Sequence, residues 1–147
     1  MPLAPVYDPS NVFAKILRGE LPCTRVFEDA DTLAFMDIMP RSDGHALVIP
    51  KSPVRNILDA TPTQLAATMK TTQAISVAIM KAFVAQGITI QQFNEAAGGQ
   101  VVFHLHFHVL PRWDGQKLKP HTGQMADKAV LEQHAARIRS ALASASP

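Results

Sequence analysis

The chain has 147 residues, enough for one domain with a sizeable core, and its 47% hydrophobic and 18% charged residues are those of a soluble globular protein. The net charge is +2; residues 1–111 hold eight basic and nine acidic residues, and basic residues outnumber acidic ones only from Arg112 onward, six to three, so no basic stripe supports binding of duplex nucleic acid. The single cysteine, Cys23, excludes an internal disulfide and a cysteine-rich metal site, no apolar run is long enough to cross a bilayer, and the first residues lack the features of a signal peptide, so a cytoplasmic location is expected.

Residues 1–9 carry three prolines and read as an extended arm. Ser10 is placed to cap a short helix through Arg18, with Val12, Phe13, Ile16 and Leu17 on its apolar side and Gly19 as the stop. Periodicity alone assigns Phe13 and Ile16 to the core. Thr24–Phe27 and Thr32–Met36 predict a hairpin around Glu28-Asp29-Ala30-Asp31, and the apolar run His45–Pro50 predicts a third, central strand. Asp37 ends the second strand and His45 follows Gly44; taken alone, each is an ordinary turn or strand-start residue.

Thr61-Pro62 is an N-cap followed by proline at the first helical position. Leu65, Met69, Thr72, Ile75, Ile79 and Phe83 then recur every three or four residues, which predicts the longest helix, ending before Gly87 with its methionines as core filler. Ile88–Phe93 reads as a fourth strand. Asn94-Glu95-Ala96-Ala97-Gly98-Gly99-Gln100 is a small-residue loop whose backbone N–H groups could cradle an anion, or which could simply be a hairpin turn. Near the end, Asp127–Leu142 predicts an amphipathic helix with Val130, Leu131, Ala135, Ile138 and Leu142 on one side, and His121 and His134 are expected in solvent or on a helix face. The element order suggests an α+β fold with helices on one face of an antiparallel sheet.

Half of the six histidines, His104, His106 and His108, alternate with Leu105 and Phe107. Period two predicts a strand with the three imidazoles on one face, about 7 Å apart along it. A structural role would need a separate partner for each ring. A metal site would need further ligands and an orienting carboxylate, and none is near in sequence. The third option is metal-free phosphoryl chemistry: a neutral imidazole attacks phosphorus, a neighbour protonates the leaving group, and donors hold the phosphoryl oxygens.

His104-Leu105-His106-Phe107-His108-Val109-Leu110 resembles the motif of the histidine triad (HIT) family, His-φ-His-φ-His-φ-φ. The resemblance extends through Asn94-Glu95, Gly98-Gly99-Gln100, Phe35-Met36-Asp37-Ile38-Met39-Pro40, Gly44-His45-Ala46-Leu47-Val48-Ile49-Pro50-Lys51 and Val12-Phe13-Ala14-Lys15-Ile16, nearest the Hint-like branch. It implies a HIT domain over residues 10–112, preceded by the arm and followed by a C-terminal extension, 113–147, with one helix. It also implies a five-stranded antiparallel sheet with helices packed on one face, a homodimer joining two sheets into one, and hydrolysis of nucleoside phosphoramidates or related nucleotidyl compounds at the α-phosphorus.

By motif position, the resemblance makes His106 the nucleophile, gives His108 the leaving group and phosphate, and leaves His104 and His45 to support and orient. It assigns Asp37 to the ribose hydroxyls, Val12, Phe13, Ile16, Phe35 and Ile38 to the base of an AMP-like purine nucleotide, and Asn94, Gly99, Gln100 and the Val101 backbone to the phosphate. Dinucleoside polyphosphate hydrolysis and nucleotide binding with little turnover are the alternatives. No cofactor, nucleic acid or membrane is implied.

Two departures matter. The cysteines that bind zinc in some relatives are matched here by Asn11 and Ala14, so no metal is expected; and Val101 stands where a serine or threonine is common. The third histidine is retained, whereas the nucleotidyl-transferase relatives carry glutamine there.

Overall fold

The runs Thr32–Met36 (β2) and Ala46–Pro50 (β3) are buried along their whole length, as strands in the middle of a sheet must be. In the computed structural model, which describes residues 5–120 and 123–144, they pair antiparallel and are flanked by Arg25–Glu28 (β1), Gly87–Gln91 (β4) and Phe107–Arg112 (β5) in the order β1-β2-β3-β5-β4. All pairings are antiparallel, as expected, and β1 and β4 form the edges.

Alternation sorts the side chains between two faces. Ala34, Met36, Ala46, Val48 and Val109 pack with the long helices Pro62–Ala82 (α2) and Lys128–Ser144 (α3). Leu33, Phe35, Leu47 and Ile49 point the other way and meet Phe13 of the short helix Val12–Leu17 (α1). The two long helices thus share one face, and α1 covers part of the other. Helix α2 starts as its sequence dictates: Thr61 and Gln64 form a capping box around Pro62, an arrangement that stabilises a helix start by about 1 kcal/mol. No described helix is long and apolar enough to cross a membrane.

Several expectations need correction. The α1 cap is Asn11, whose Oδ1 accepts the Ala14 N–H at 2.9 Å, while Ser10 turns its own N–H to Asp8. Met69 and Val130 are exposed at the margins of their helices' apolar faces, so Met69 is not core filler. Helix α3 packs on α2 and β1 through Leu131, Ala135, Ile138 and Ala141, which places it in the core on the far face from α1. His134 does lie on a helix face, half-buried on α3 and edge-on to Phe83 at 5.2 Å; His121 lies outside the described residues.

The histidine run is only partly strand. The β3–β5 ladder ends at Val48↔Phe107, and β5 begins at Phe107, leaving His104 and His106 in the bent segment that leads into it. One step beyond Ile49 the facing position belongs to Pro50, which has no N–H to give a ladder. Leu105 donates its N–H to Val54 O instead, at 2.8 Å.

Candidate functional site

Four imidazoles and one carboxylate converge where the lead-in to β5 passes β3 and the turn after β2. His104 and His45 are fully buried, His106 nearly so, and Asp37 and His108 lie at the boundary with solvent. The rings of His106 and His108 are 5.0 Å apart, and Phe13 stands edge-on to His106 at 4.9 Å.

Main-chain groups settle where the protons sit, because a carbonyl only accepts and an amide N–H only donates. His106 Nδ1 lies 2.7 Å from His104 O, so it carries the proton and the lone pair of the neutral ring is on Nε2. His104 Nε2 faces Pro50 O at 2.8 Å, so its Nδ1 accepts from the Tyr7 hydroxyl at 2.6 Å. On the other side, Arg41 N–H donates to His45 Nδ1 at 3.1 Å. His45 therefore carries its proton on Nε2, which points at His108 Nδ1 at 2.9 Å and sends the His108 proton to Nε2. Burial pushes both His104 and His106 below the ordinary imidazole range, His104 to about 4, so both are neutral near pH 7. Burial raises the pKa of Asp37, while the Met39 N–H on its Oδ1 partly offsets this.

Asp37 Oδ2 lies 3.4 Å from His45 Nε2 and 4.0 Å from His108 Nδ1, and the three ligand atoms fall within 4.8 Å of one another. A metal there would need the Nε2 lone pair of His45, hence a proton on Nδ1 facing the Arg41 N–H. The donor set therefore fits a hydrogen-bond network better than a metal cage. The zinc position of some relatives fits no better. Ala14 offers no ligand, and the Asn11 amide both caps α1 and donates to Tyr7 and Asp8.

The residues expected to hold the base divide. Phe13 and Phe35 are buried against each other at 5.4 Å, Ile16 is half-buried beside them, and Val12 and Ile38 are exposed. The loop expected to hold phosphate is itself held by internal hydrogen bonds. The Gln100 side chain is buried, donating to Arg55 O and Val102 O and accepting from Glu95 N and Asn56 Nδ2, which occupies it fully in holding the loop. Asn94 Oδ1 likewise accepts Ile57 N–H and Gln92 Nε2. Gly98, Gly99 and Gln100 give their N–H groups to Glu95 and Ala96 carbonyls, so these three form no open nest, and the Val101 N–H that follows them is not engaged in this way. Gly99 has φ +96°, and a Cβ there would sit 3.1 Å from the Phe93 ring, which stands 6.0 Å from His108.

Sequence reasoning missed the residues that brace this loop and the histidines. Glu95, held at φ +64°, pairs bidentately with Arg55 and accepts from Asn56. Tyr7 was only part of an arm, and Arg41 acts through its main chain, which no side-chain pattern reveals.

Residues 18–115 match the HIT domain model. Over 124 residues the chain is 37% identical to "Adenylylsulfatase HINT3" of Arabidopsis thaliana, covering 80% of this chain and 63% of that protein. Over 103 residues it is 35% identical to "Adenosine 5'-monophosphoramidase hnt1" of Schizosaccharomyces pombe, covering 70% of this chain and 74% of that one. Among solved structures, a Hit-like protein from Bartonella henselae superposes with a TM-score of 0.87 at 50% identity, covering 92% of this chain and 99% of that chain. A zinc-bound histidine triad family protein from Mycobacterium smegmatis gives 0.82 at 35% identity, covering 92% and 94%. On the family model, these relatives and the shared fold, the chain belongs to the histidine triad family.

Proposed function

We propose that the chain is a nucleotide hydrolase that cleaves nucleoside 5'-phosphoramidates or related nucleotidyl compounds at the α-phosphorus through a nucleotidyl-His106 intermediate. The hydrolase class rests on the family and on relatives named for adenylylsulfatase and adenosine 5'-monophosphoramidase activity. The mechanism rests on one observation: His106 Nδ1 is tied to a carbonyl, so its lone pair is on Nε2 in a neutral ring.

In this reading His106 Nε2 forms a bond to phosphorus as the bond from phosphorus to the leaving nitrogen breaks. In the loaded site His108 takes up a second proton on Nδ1, turned to the Asp37 carboxylate, and the cationic ring gives its Nε2 proton to the leaving nitrogen, which departs as the neutral amine and leaves His108 neutral. Water then attacks phosphorus, returns a proton to His108, and breaks the bond to His106, releasing the nucleoside monophosphate. His45 orients His108, and His104 orients His106. The Val101 N–H is the backbone donor for the phosphate, and Asp37 the acceptor for the ribose hydroxyls. Val12, Phe13, Ile16, Phe35 and Ile38 offer the base an apolar surface. Strand β4 is an open edge with Ile90 exposed, which suits a homodimer that joins two sheets there.

A second reading takes nucleotidyl anhydrides, dinucleoside polyphosphates among them. Val101 brings no hydroxyl to a leaving group, and a phosphate or sulfate departs as an anion that needs no proton. Incubation with adenosine 5'-monophosphoramidate and, separately, a diadenosine polyphosphate, with His106→Asn as control, separates the two. AMP release from the phosphoramidate that is lost in the variant supports the first reading, and preferential cleavage of the dinucleotide supports the second. Nucleotide binding with no turnover of either would make the chain a binding protein.

A further inference from the structure

The N-terminal arm reaches the triad from behind through one side chain. Tyr7, half-buried ahead of α1, places its hydroxyl 2.6 Å from His104 Nδ1, with the rings edge-on at 5.6 Å. Pro50 O fixes the His104 proton on Nε2, so the hydroxyl must donate. The Tyr7 oxygen in turn accepts from Asn11 Nδ2 at 3.0 Å. The orientation of that amide is fixed because its Oδ1 caps α1 at Ala14 N and its Nδ2 also donates to Asp8 O. Every proton in the chain Asn11→Tyr7→His104→Pro50 is thus assigned by a main-chain group at each end. The relay ends one bond network from the reacting atom, since the carbonyl of the same His104 holds His106 Nδ1 at 2.7 Å.

We propose that Tyr7 is a positioning residue of the reaction: its hydroxyl holds His104 in one tautomer and one ring orientation, and the carbonyl of His104 thereby holds His106 with its lone pair on Nε2. The catalytic part rests on the hydrolase reading above. Without the hydroxyl, His104 keeps a buried acceptor with no donor, and the ring and its carbonyl lose the constraint that aims His106. Asn11 belongs to the same device, and it also ties α1, which carries Phe13 against His106, to the triad.

Two variants of the 147-residue chain test this. Tyr7→Phe deletes only the hydroxyl. Asn11→Asp keeps an N-cap acceptor but replaces the donor to Tyr7 with a second acceptor, which draws the hydroxyl away from His104. Both variants should lower kcat for adenosine 5'-monophosphoramidate by about tenfold, the lower end for removing a partner that orients a reactive imidazole, with KM within about twofold. Long-range nitrogen–proton NMR should show His104 Nδ1 as a hydrogen-bonded acceptor in the wild type, and that signal should shift in both variants. Wild-type kcat in Tyr7→Phe would overturn the proposal, as would a change confined to KM or an unmoved His104 signal. If the wild type turns over no phosphoramidate, the hydrolase reading fails, while the NMR arm still decides whether Tyr7 sets the His104 tautomer.

Discussion

His45 Nε2 and His108 Nδ1 lie 2.9 Å apart, and the Arg41 N–H on the far side of His45 decides which of them donates. A buried histidine thereby fixes the tautomer of the histidine assigned to the leaving group. His45→Phe removes that donor and should lower kcat by roughly the 10²-fold or more that a misplaced general acid costs, with AMP affinity little changed. His45→Gln, whose amide can donate to His108, should recover part of the loss. Steady-state kinetics with an AMP binding titration measures both.

Stability should fall in acid through His104. Its folded pKa, lowered by burial to about 4, lies below the unfolded value near 6.5. Between these values the unfolded chain binds the proton that the folded chain refuses, so stability is full above about pH 6.5 and is lost as pH falls toward 4, by up to about 3 kcal/mol. Urea denaturation at a series of pH values should show this slope in the wild type and a shallower one in His104→Phe. An equal slope in both would remove His104 as the cause.

Gly44 sets the position of His45. It has φ +89°, and a Cβ there would lie 2.7 Å from the Phe83 ring. Gly44→Ala combines a strained backbone with overpacking and should cost about 1–3 kcal/mol in a denaturant melt. Phe83→Leu in the same chain should return part of the loss by giving the methyl room.

Val101 is 84% exposed, so changing it costs the core nothing. Val101→Ser should leave stability within about 0.5 kcal/mol. It should raise turnover of amine-leaving phosphoramidates by about fivefold, one ordinary hydrogen bond's worth, and leave anhydride turnover unchanged. Parallel rates on the two substrate classes check this.

Much of the fold was legible because local and global signals agree. Thr61-Pro62 starts α2, apolar runs mark β2 and β3, and the alternation of His104, His106 and His108 marks the site. The register of that last segment was not legible. Alternation alone extends the strand back to His104, whereas Pro50, with no N–H, ends the ladder and Leu105 turns to Val54. Ser10 and Asn11 are both good caps, and only the Tyr7 contact shows why Asn11 holds the position. The Gln100 amide, a plausible phosphate donor by motif, is buried by four internal hydrogen bonds. Contacts such as Tyr7 to His104, 97 residues apart, leave no periodic trace in a sequence.

The stereochemical course at phosphorus distinguishes one displacement from two. A P-chiral adenosine 5'-phosphoramidothioate is hydrolysed in isotopically labelled water and the configuration of the product is read. Attack by His106 followed by attack of water is two in-line displacements, and the expected outcome is retention. Inversion would mean that water attacks phosphorus directly, and the nucleotidyl-His106 intermediate would have to be abandoned.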